Sequence, residues 1–365
     1  MATTFKTLTA NDIVNTRTLL HEAIPLTGTI LSGTYQDLNV KTYTHGMFES
    51  DFDYPFLSSS ANHILDITHG YSNSSFLSGA GNTQNAKKIN IYNQMAAQLV
   101  GHSETGAILD FDQDGNIAAG GQKMNEVFFL NFSRLLTKDE IKKGSFTITL
   151  LTGSALLKYP SSAQPNVLEK PLVLGDYGAA NSYFVNSPAG EYALLYPSSS
   201  AAAALAAPQQ QGLLYYQAGI AVITGSAFRY ADYDTGDGDG TGSMMGPGFP
   251  SSSYFNLASG STINVLAASI RNRIQNIAFN NTVELNSTIY FCRANHNEFN
   301  YSSNPTYLSN SQLRVKNTTS DNPVSYITTV GLYSSDNELL AVAKLSEPIK
   351  KTPDTELTLR VRLDY

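Results

Sequence analysis

The chain has 365 residues, long for one compact domain and about right for two, and long enough to bury a sizeable core without covalent staples. A net charge of −7 and a pI near 5.4 argue against nucleic acid as the main partner, because phosphate binding needs a basic patch and the longest basic signals are pairs such as Lys87-Lys88, Lys142-Lys143 and Lys350-Lys351. The lone cysteine, Cys292, excludes an intramolecular disulfide and a Cys-based zinc site within one chain, and its apolar run Ile289-Tyr290-Phe291 reads as core.

In chain order, Met1-Ala2-Thr3-Thr4-Phe5-Lys6 lacks a charged region followed by an apolar core, so no secretory signal is expected. No apolar run reaches the roughly 18 residues of a membrane span. Residues 12–22 show only poor helical spacing. After Gly81-Asn82-Thr83, the residues Ile89, Tyr92, Met95, Ala96, Leu99 and Val100 recur at steps of three and four, and Gly101 follows; this predicts a helix. Strands are predicted at Glu126–Phe132 and Ser145–Leu151, flanking a short helix with Thr137 and Glu140 in capping-box spacing and Gly144 as its stop. Leu213–Tyr216 and Ile220–Thr224, separated by Gln217-Ala218-Gly219, read as a hairpin. Ile263, Leu266, Ala267, Ile270, Ile274 and Ile277 predict a helix over about 263–277, capped by Ser261 or Thr262. Tyr326–Tyr333 and Glu338–Leu345 read as strands joined by Ser334-Ser335-Asp336-Asn337. A last strand alternates Leu357, Leu359, Val361 and Leu363 against Thr358, Arg360, Arg362 and Asp364, so one face is buried and the other is wet or paired with a neighbour.

Two stretches read as long loops, Tyr196–Gln211 and the Gly/Asp-rich Ala231–Ser253; in an assembly protein such loops order against neighbours. The fold expected is α+β and mainly β, with antiparallel sheets or a sandwich, two or three helices and long Gly/Ser/Asp-rich loops. Residues 1–155 form an N-terminal α+β region, 156–210 an insertion or small second lobe, and 211–365 a C-terminal β-rich region packing with 126–152.

Charged residues make up 15% of the chain against roughly 25% in ordinary soluble domains, and Asn, Ser, Thr, Gly and Tyr fill the gap. The 21 Tyr and 17 Phe suit strands. They also suit an interface, since Tyr is enriched and Lys and Glu are depleted where proteins meet.

One motif carries metal-binding chemistry. Asp110, Asp112, Asp114 and Asn116, with Gly115 and Ile117, match the first half of a calcium loop, in which hard oxygens alternate and a glycine makes the sharp turn. Gly121 stands where the closing Glu belongs, and Ala107-Ile108-Leu109 reads as a strand, so the competing reading is a β-turn carrying Asp-Gly between two strands. Asp232, Asp234, Asp237 and Asp239 form a second acidic run that also lacks a closing Glu. His63, Asp66 and His69 share no tight helical face, and His21-Glu22 is an acid/base pair specific to nothing. Nucleophile elbow, Walker loop, dinucleotide loop and His-Glu-x-x-His signatures are absent, so no catalytic residue is nominated and no cofactor is expected.

Cys292-Arg293-Ala294-Asn295, Glu298-Phe299-Asn300-Tyr301, Tyr326–Tyr333, Glu338–Leu345 and the Arg360–Tyr365 ending, with Leu214–Val222 upstream, resemble a group of virion proteins of large contractile-tailed phages and their cyanophage relatives. The resemblance is clearest over 210–365. It implies a non-enzymatic structural subunit of the virion, in the tail baseplate wedge or an adjacent tail component. The partners it implies are other virion structural proteins in a symmetric, hetero-oligomeric assembly, without membrane, nucleic acid or small-molecule substrate. Synthesis would take place in the host bacterial cytoplasm. A neck or capsid-associated component and a carbohydrate-binding receptor module are the alternatives; exposed Tyr rings favour the last, and the absence of Trp counts against it.

Overall fold

The computed structural model describes residues 5–26, 39–53, 62–117, 121–152, 170–198, 210–225, 227, 254–271, 274–301, 308–309, 312–313 and 324–365. It is mainly β with a few helices, the class expected from the sequence. The chain divides into two compact units. Unit 1 comprises Met1–Leu20 and Glu284–Tyr365, and unit 2 comprises His21–Val283. Strands β1 (Ile13–Pro25) and β13 (Ile274–Ala294) each contribute residues to both.

Unit 2 holds β2 (Val40–Thr42), β3 (Glu49–Phe52), β4 (His63–Tyr71), β5 (Glu126–Phe132), β6 (Glu140–Ile141), β7 (Thr147–Thr152), β8 (Lys170–Gly175), β9 (Phe184–Ser187), β10 (Gly190–Pro197), β11 (Gly212–Tyr215) and β12 (Ile220–Thr224). Their order in the sheet is β13-β7-β8-β10-β11-β12-β5-β4-β3-β2. The pairings are antiparallel: Ala221 faces Leu130 and Ile67 faces Leu130 from the other side, so β5 is a central strand.

Period-two alternation sends side chains of the same strands into two apolar clusters. Leu65, Ile67, Phe128, Leu130, Leu214 and Ile223 enter the larger one, where Ile148 of β7 and Ile277 and Phe279 of β13 meet them. The Phe132 ring lies 5.8 Å from Phe146 and 5.4 Å from Phe279, so the sheet closes over its own inner face. Helices α3 (Tyr254–Gly260) and α4 (Ile263–Arg271) add Leu257, Leu266 and Ile270 to this core. Val127, Phe129, Leu213, Tyr215 and Val222 point the other way, onto Tyr92, Ala96 and Leu99 of α1 (Asn85–Leu99). Phe128 and Phe129, neighbours in sequence, are fully buried on opposite faces, and truncating either to Ala is expected to cost about 3–5 kcal/mol.

Helix α1 follows the apolar stripe read from the sequence, and Gly101, at φ 100, closes it with its N–H on Ala96 O at 2.9 Å. Helix α4 ends sooner than expected. Residues from 274 onward are strand, because Ile274 and Ile277 pair with Leu150 and Ile148 of β7. A β-bulge between Ile274 and Asn276 puts two residues three apart on one face, which mimics helical spacing. The expected short helix is also displaced: α2 spans Arg134–Thr137, and Glu140 and Ile141 instead pair with Thr282 and Asn281.

The division differs from contiguous regions 1–155, 156–210 and 211–365. Segment 156–210 forms no separate lobe over its described part, since β8 and β10 lie inside the sheet between β7 and β11. Within 126–152, β5 pairs with β12 and β7 pairs with the start of β13.

Unit 1 contains the short η1 turn (Ala10–Asp12), Ile13–Leu20 of β1, the second half of β13, β14 (Leu308–Ser309), β15 (Gln312–Leu313), β16 (Ser325–Tyr333), β17 (Leu339–Lys351) and β18 (Leu357–Asp364). β13 is flanked by β1 and by β18, the latter in register from Ser287↔Asp364 to Ala294↔Leu357. β16 and β17 form a two-stranded antiparallel ribbon.

Candidate assembly interface and the acidic loop

The loop read as half a calcium site folds as a turn. Gly115 N–H reaches Asp112 O at 3.3 Å, and residues on the two sides pair through Met124 N–Phe111 O at 2.9 Å and Gln113 N–Gln122 O at 3.0 Å. Each of its carboxylates already has a protein partner. Asp110 accepts from Ser72 Oγ at 3.0 Å, the buried Asp112 is bridged to Lys123 Nζ, and Asp114 accepts from the backbone and amide nitrogens of Asn116 at 3.1 and 2.8 Å. The hydrogen bond from the Asn116 backbone N–H leads in holding the Asp114 carboxyl below its usual range. The ammonium of Lys123 therefore occupies the place by Asp112 that a cation would need. Among the described residues no group of three His, Cys, Asp or Glu side chains could hold a metal ion. The acidic run of Asp232, Asp234, Asp237 and Asp239 and the loop 231–253 lie outside the described residues, as does 199–209 of the first loop.

His63 and Asp66 meet at 2.8 Å, brought together by a β-bulge where Phe52 pairs with His63 and Asp51 with Leu65. Ser50 Oγ donates to the same Asp66 oxygen at 2.5 Å. The carboxylate, not His63, thus receives the serine hydroxyl. His69 lies apart, buried with its ring 4.7 Å from Phe128, and burial and Lys88 hold its pKa well below the usual value. Sequence reasoning noted Lys88 only as half of the basic pair Lys87-Lys88. It is buried, donates to Ala258 O at 2.7 Å and Ser261 O at 2.8 Å, and is pulled down to a pKa of about 8 by desolvation. It ties α1 to the α3–α4 connection, a structural duty. Cys292 is half-buried on β13, and burial raises its pKa, which makes it a poor nucleophile.

A cleft of about 530 Å³ lies beside the acidic loop, lined by Phe76, Asp110, Gln113, Lys123, Asn125 and Glu126 among others. Phe76 is exposed.

Unit 1 is built differently from unit 2. Both apolar clusters lie wholly in unit 2. Among the described residues of unit 1 the buried hydrophobic side chains are Ile289, Ala294, Leu332 and Val361. Polar contacts do the holding. Asp12 accepts from Thr9 Oγ1 at 2.7 Å and meets Arg293 Nε at 2.8 Å; bonds from Thr9 lead in lowering its pKa. The buried Lys351 donates to Asn300 Oδ1 at 2.8 Å and Thr352 O at 2.9 Å. Phe5 packs on Tyr333 with ring centroids 4.7 Å apart.

Several large apolar side chains among the described residues of unit 1 are exposed instead. Ile13 and Leu19 alternate with Val14 and Leu20 on β1, so both faces of that strand are apolar and exposed. On the ribbon, Tyr326, Tyr333, Leu339, Leu340 and Val342 are exposed, Leu340 to 67%. The alternation that the sequence shows at Leu357, Leu359, Val361 and Leu363 yields a face that is buried only at Val361 and half-buried at the rest. No helix among the described residues is long and apolar enough to cross a membrane. No family model matches the chain, and neither a curated protein nor a solved structure matches it.

Proposed function

We propose that the chain is a non-enzymatic structural subunit of a phage virion, seated in the baseplate region of a contractile tail. The observation that carries the assembly part of this reading is unit 1: a β unit outside both apolar clusters, with large apolar side chains exposed along β1, β16 and β17. A two-stranded ribbon alone is marginally stable in water, and exposed contiguous apolar surface marks sites of association. The low charge content and the abundance of Tyr fit surfaces that desolvate cheaply on contact. The tail location rests on the sequence resemblance over 210–365.

Mass spectrometry and cryo-electron microscopy of particles carrying this gene test the reading. The chain is expected at fixed, symmetry-related sites in the tail base. Its absence from mature particles would overturn the proposal; fixed sites in the neck or capsid would overturn only the location.

The cleft beside Phe76 favours a second reading, a sugar-binding role. An exposed phenyl ring beside carboxylates and side-chain amides offers both apolar and hydrogen-bonding contacts to a sugar. A glycan array probed with the purified chain and with Phe76→Ala decides it: loss of a signal in the variant supports the reading, and no signal from the parent chain ends it.

A further inference from the structure

We infer that unit 1 is a homotypic interface, where unit 1 of one copy docks on unit 1 of a second copy of this chain. The inference rests on the assembly reading above and names the partner.

Charge points to the occupant. Unit 1 carries ten Lys/Arg and ten Asp/Glu, and the whole net charge of −7 therefore belongs to unit 2. The balanced charges are interleaved along the strands. Lys344, Glu347 and Lys350 follow one another on β17, and Arg360, Arg362 and Asp364 project from the exposed face of β18. A surface made for a partner of opposite sign would hold a net charge, because complementary potentials steer and select the partner. A neutral surface with both signs interspersed is complementary to itself, and near-zero net charge favours self-association. The −7 on unit 2 disfavours the same packing there.

Shape agrees with charge. β1 exposes apolar side chains on both faces, and so does the surface around the β16–β17 ribbon, at Leu339, Leu340 and Val342. Thin β layers of this kind gain a core when a like layer is laid on them, as two sheet faces make a sandwich. A second copy supplies such a layer. Tyr326 and Tyr333 add amphipathic rings at the rim.

The test is light scattering coupled to gel filtration, with sedimentation velocity, on the purified full-length chain over a micromolar concentration series. The expected result is a concentration-dependent multiple of the 39.5 kDa chain mass. Leu340→Lys and, separately, Leu20→Lys are expected to weaken self-association by about tenfold or more, since each replaces an apolar contact with a charge. Both positions are exposed, and near-ultraviolet circular dichroism checks that the variants fold. Phe76→Lys, on unit 2, is expected to leave the mass unchanged. A parent chain that stays monomeric throughout overturns the inference, and so does an oligomer that persists in both folded unit 1 variants. A monomer that nonetheless occupies fixed sites in particles sinks this inference and leaves the assembly reading standing. A self-associating chain absent from particles does the reverse.

Discussion

Tyr216 donates its hydroxyl proton to Asp176 Oδ2 at 2.8 Å, with both side chains buried in the sheet of unit 2. The carboxylate also accepts from Gly144 N at 2.6 Å and Phe146 N at 2.9 Å. Burial still wins: it raises the Asp176 pKa above the usual value, and the three donors only moderate the rise. Tyr216→Phe removes one donor and leaves a buried acceptor short, an expected loss of about 1–3 kcal/mol at neutral pH. The sign of the pH dependence follows. A carboxyl with a raised folded pKa binds its proton in the folded state before the unfolded chain does, so its contribution to stability improves as pH falls. The variant raises that pKa further. Its deficit in urea denaturation should therefore shrink from neutral pH toward the carboxylate range, and a deficit that stays constant or grows would rule the account out.

Lys88 gives the opposite end of the pH scale. Its folded pKa of about 8 lies below the ordinary 10.5 because burial disfavours the charge. Between those values the unfolded chain holds a proton that the folded one has lost, so stability rises with pH across that window. Against Lys88→Met, which lacks the group, the parent should gain roughly 3 kcal/mol between pH 8 and 10.5. Thermal melts of both proteins across that range measure it, and parallel curves would contradict it.

Close packing of α1 on β4 makes a sharper steric prediction. A methyl at Gly70 would sit 2.8 Å from Lys88 O and 2.9 Å from Tyr92 N, both backbone atoms that cannot swing away. Gly70→Ala should push α1 off the sheet and lower stability by about 1–3 kcal/mol. Gly81→Ala, with nothing within 4 Å, should stay within about 0.5 kcal/mol of the parent. Equal effects at the two sites would refute the packing argument.

The elements legible in the sequence were those with one buried face or one clear stop. β5 and β12 have the bounds read from their apolar runs, and α1 follows its stripe to Gly101. What stayed hidden follows from the physics of each case. β1 is exposed on both faces, so no period marks it. The bulge at Ile274 and Asn276 gave strand residues a helical spacing. Unit 1 joins the two ends of the chain, which no contiguous division can propose. Its outward Leu and Val alternate as buried ones do, so the sequence does not tell a core face from a docking face. The acidic loop matched a calcium motif by residue type, but only the fold reveals that Lys123 reaches Asp112.

That lysine leads to a direct test. With Lys123 on Asp112 and Asp114 bonded to Asn116, the carboxylates of the loop's described residues are already engaged by protein donors. Millimolar calcium should leave the melting temperature unchanged. A true site would add about 2.7 kcal/mol at a hundredfold excess over Kd. A calcium-dependent rise that is lost in Asp112→Ala would show that the loop rearranges to bind the ion.

Arg271, the last residue of α4, places Nε 2.8 Å from Glu49 Oε1 and 3.8 Å from Asp51 Oδ1 of β3, with all three side chains buried. A guanidinium held against two buried carboxylates is a high-stakes arrangement, because each charge was stripped of water to reach it. Arg271→Met would take this guanidinium away from two buried acids, and the expected loss is about 3–5 kcal/mol. Neutralising the acids as well, with Glu49→Gln and Asp51→Asn, removes the two charges that Arg271 faces. The triple variant should therefore be more stable than Arg271→Met alone, although it carries more substitutions. Chemical denaturation of the three proteins decides the matter: a triple variant weaker than the single one would mean that shape, not charge, is what Arg271 supplies at the junction of α4 and β3.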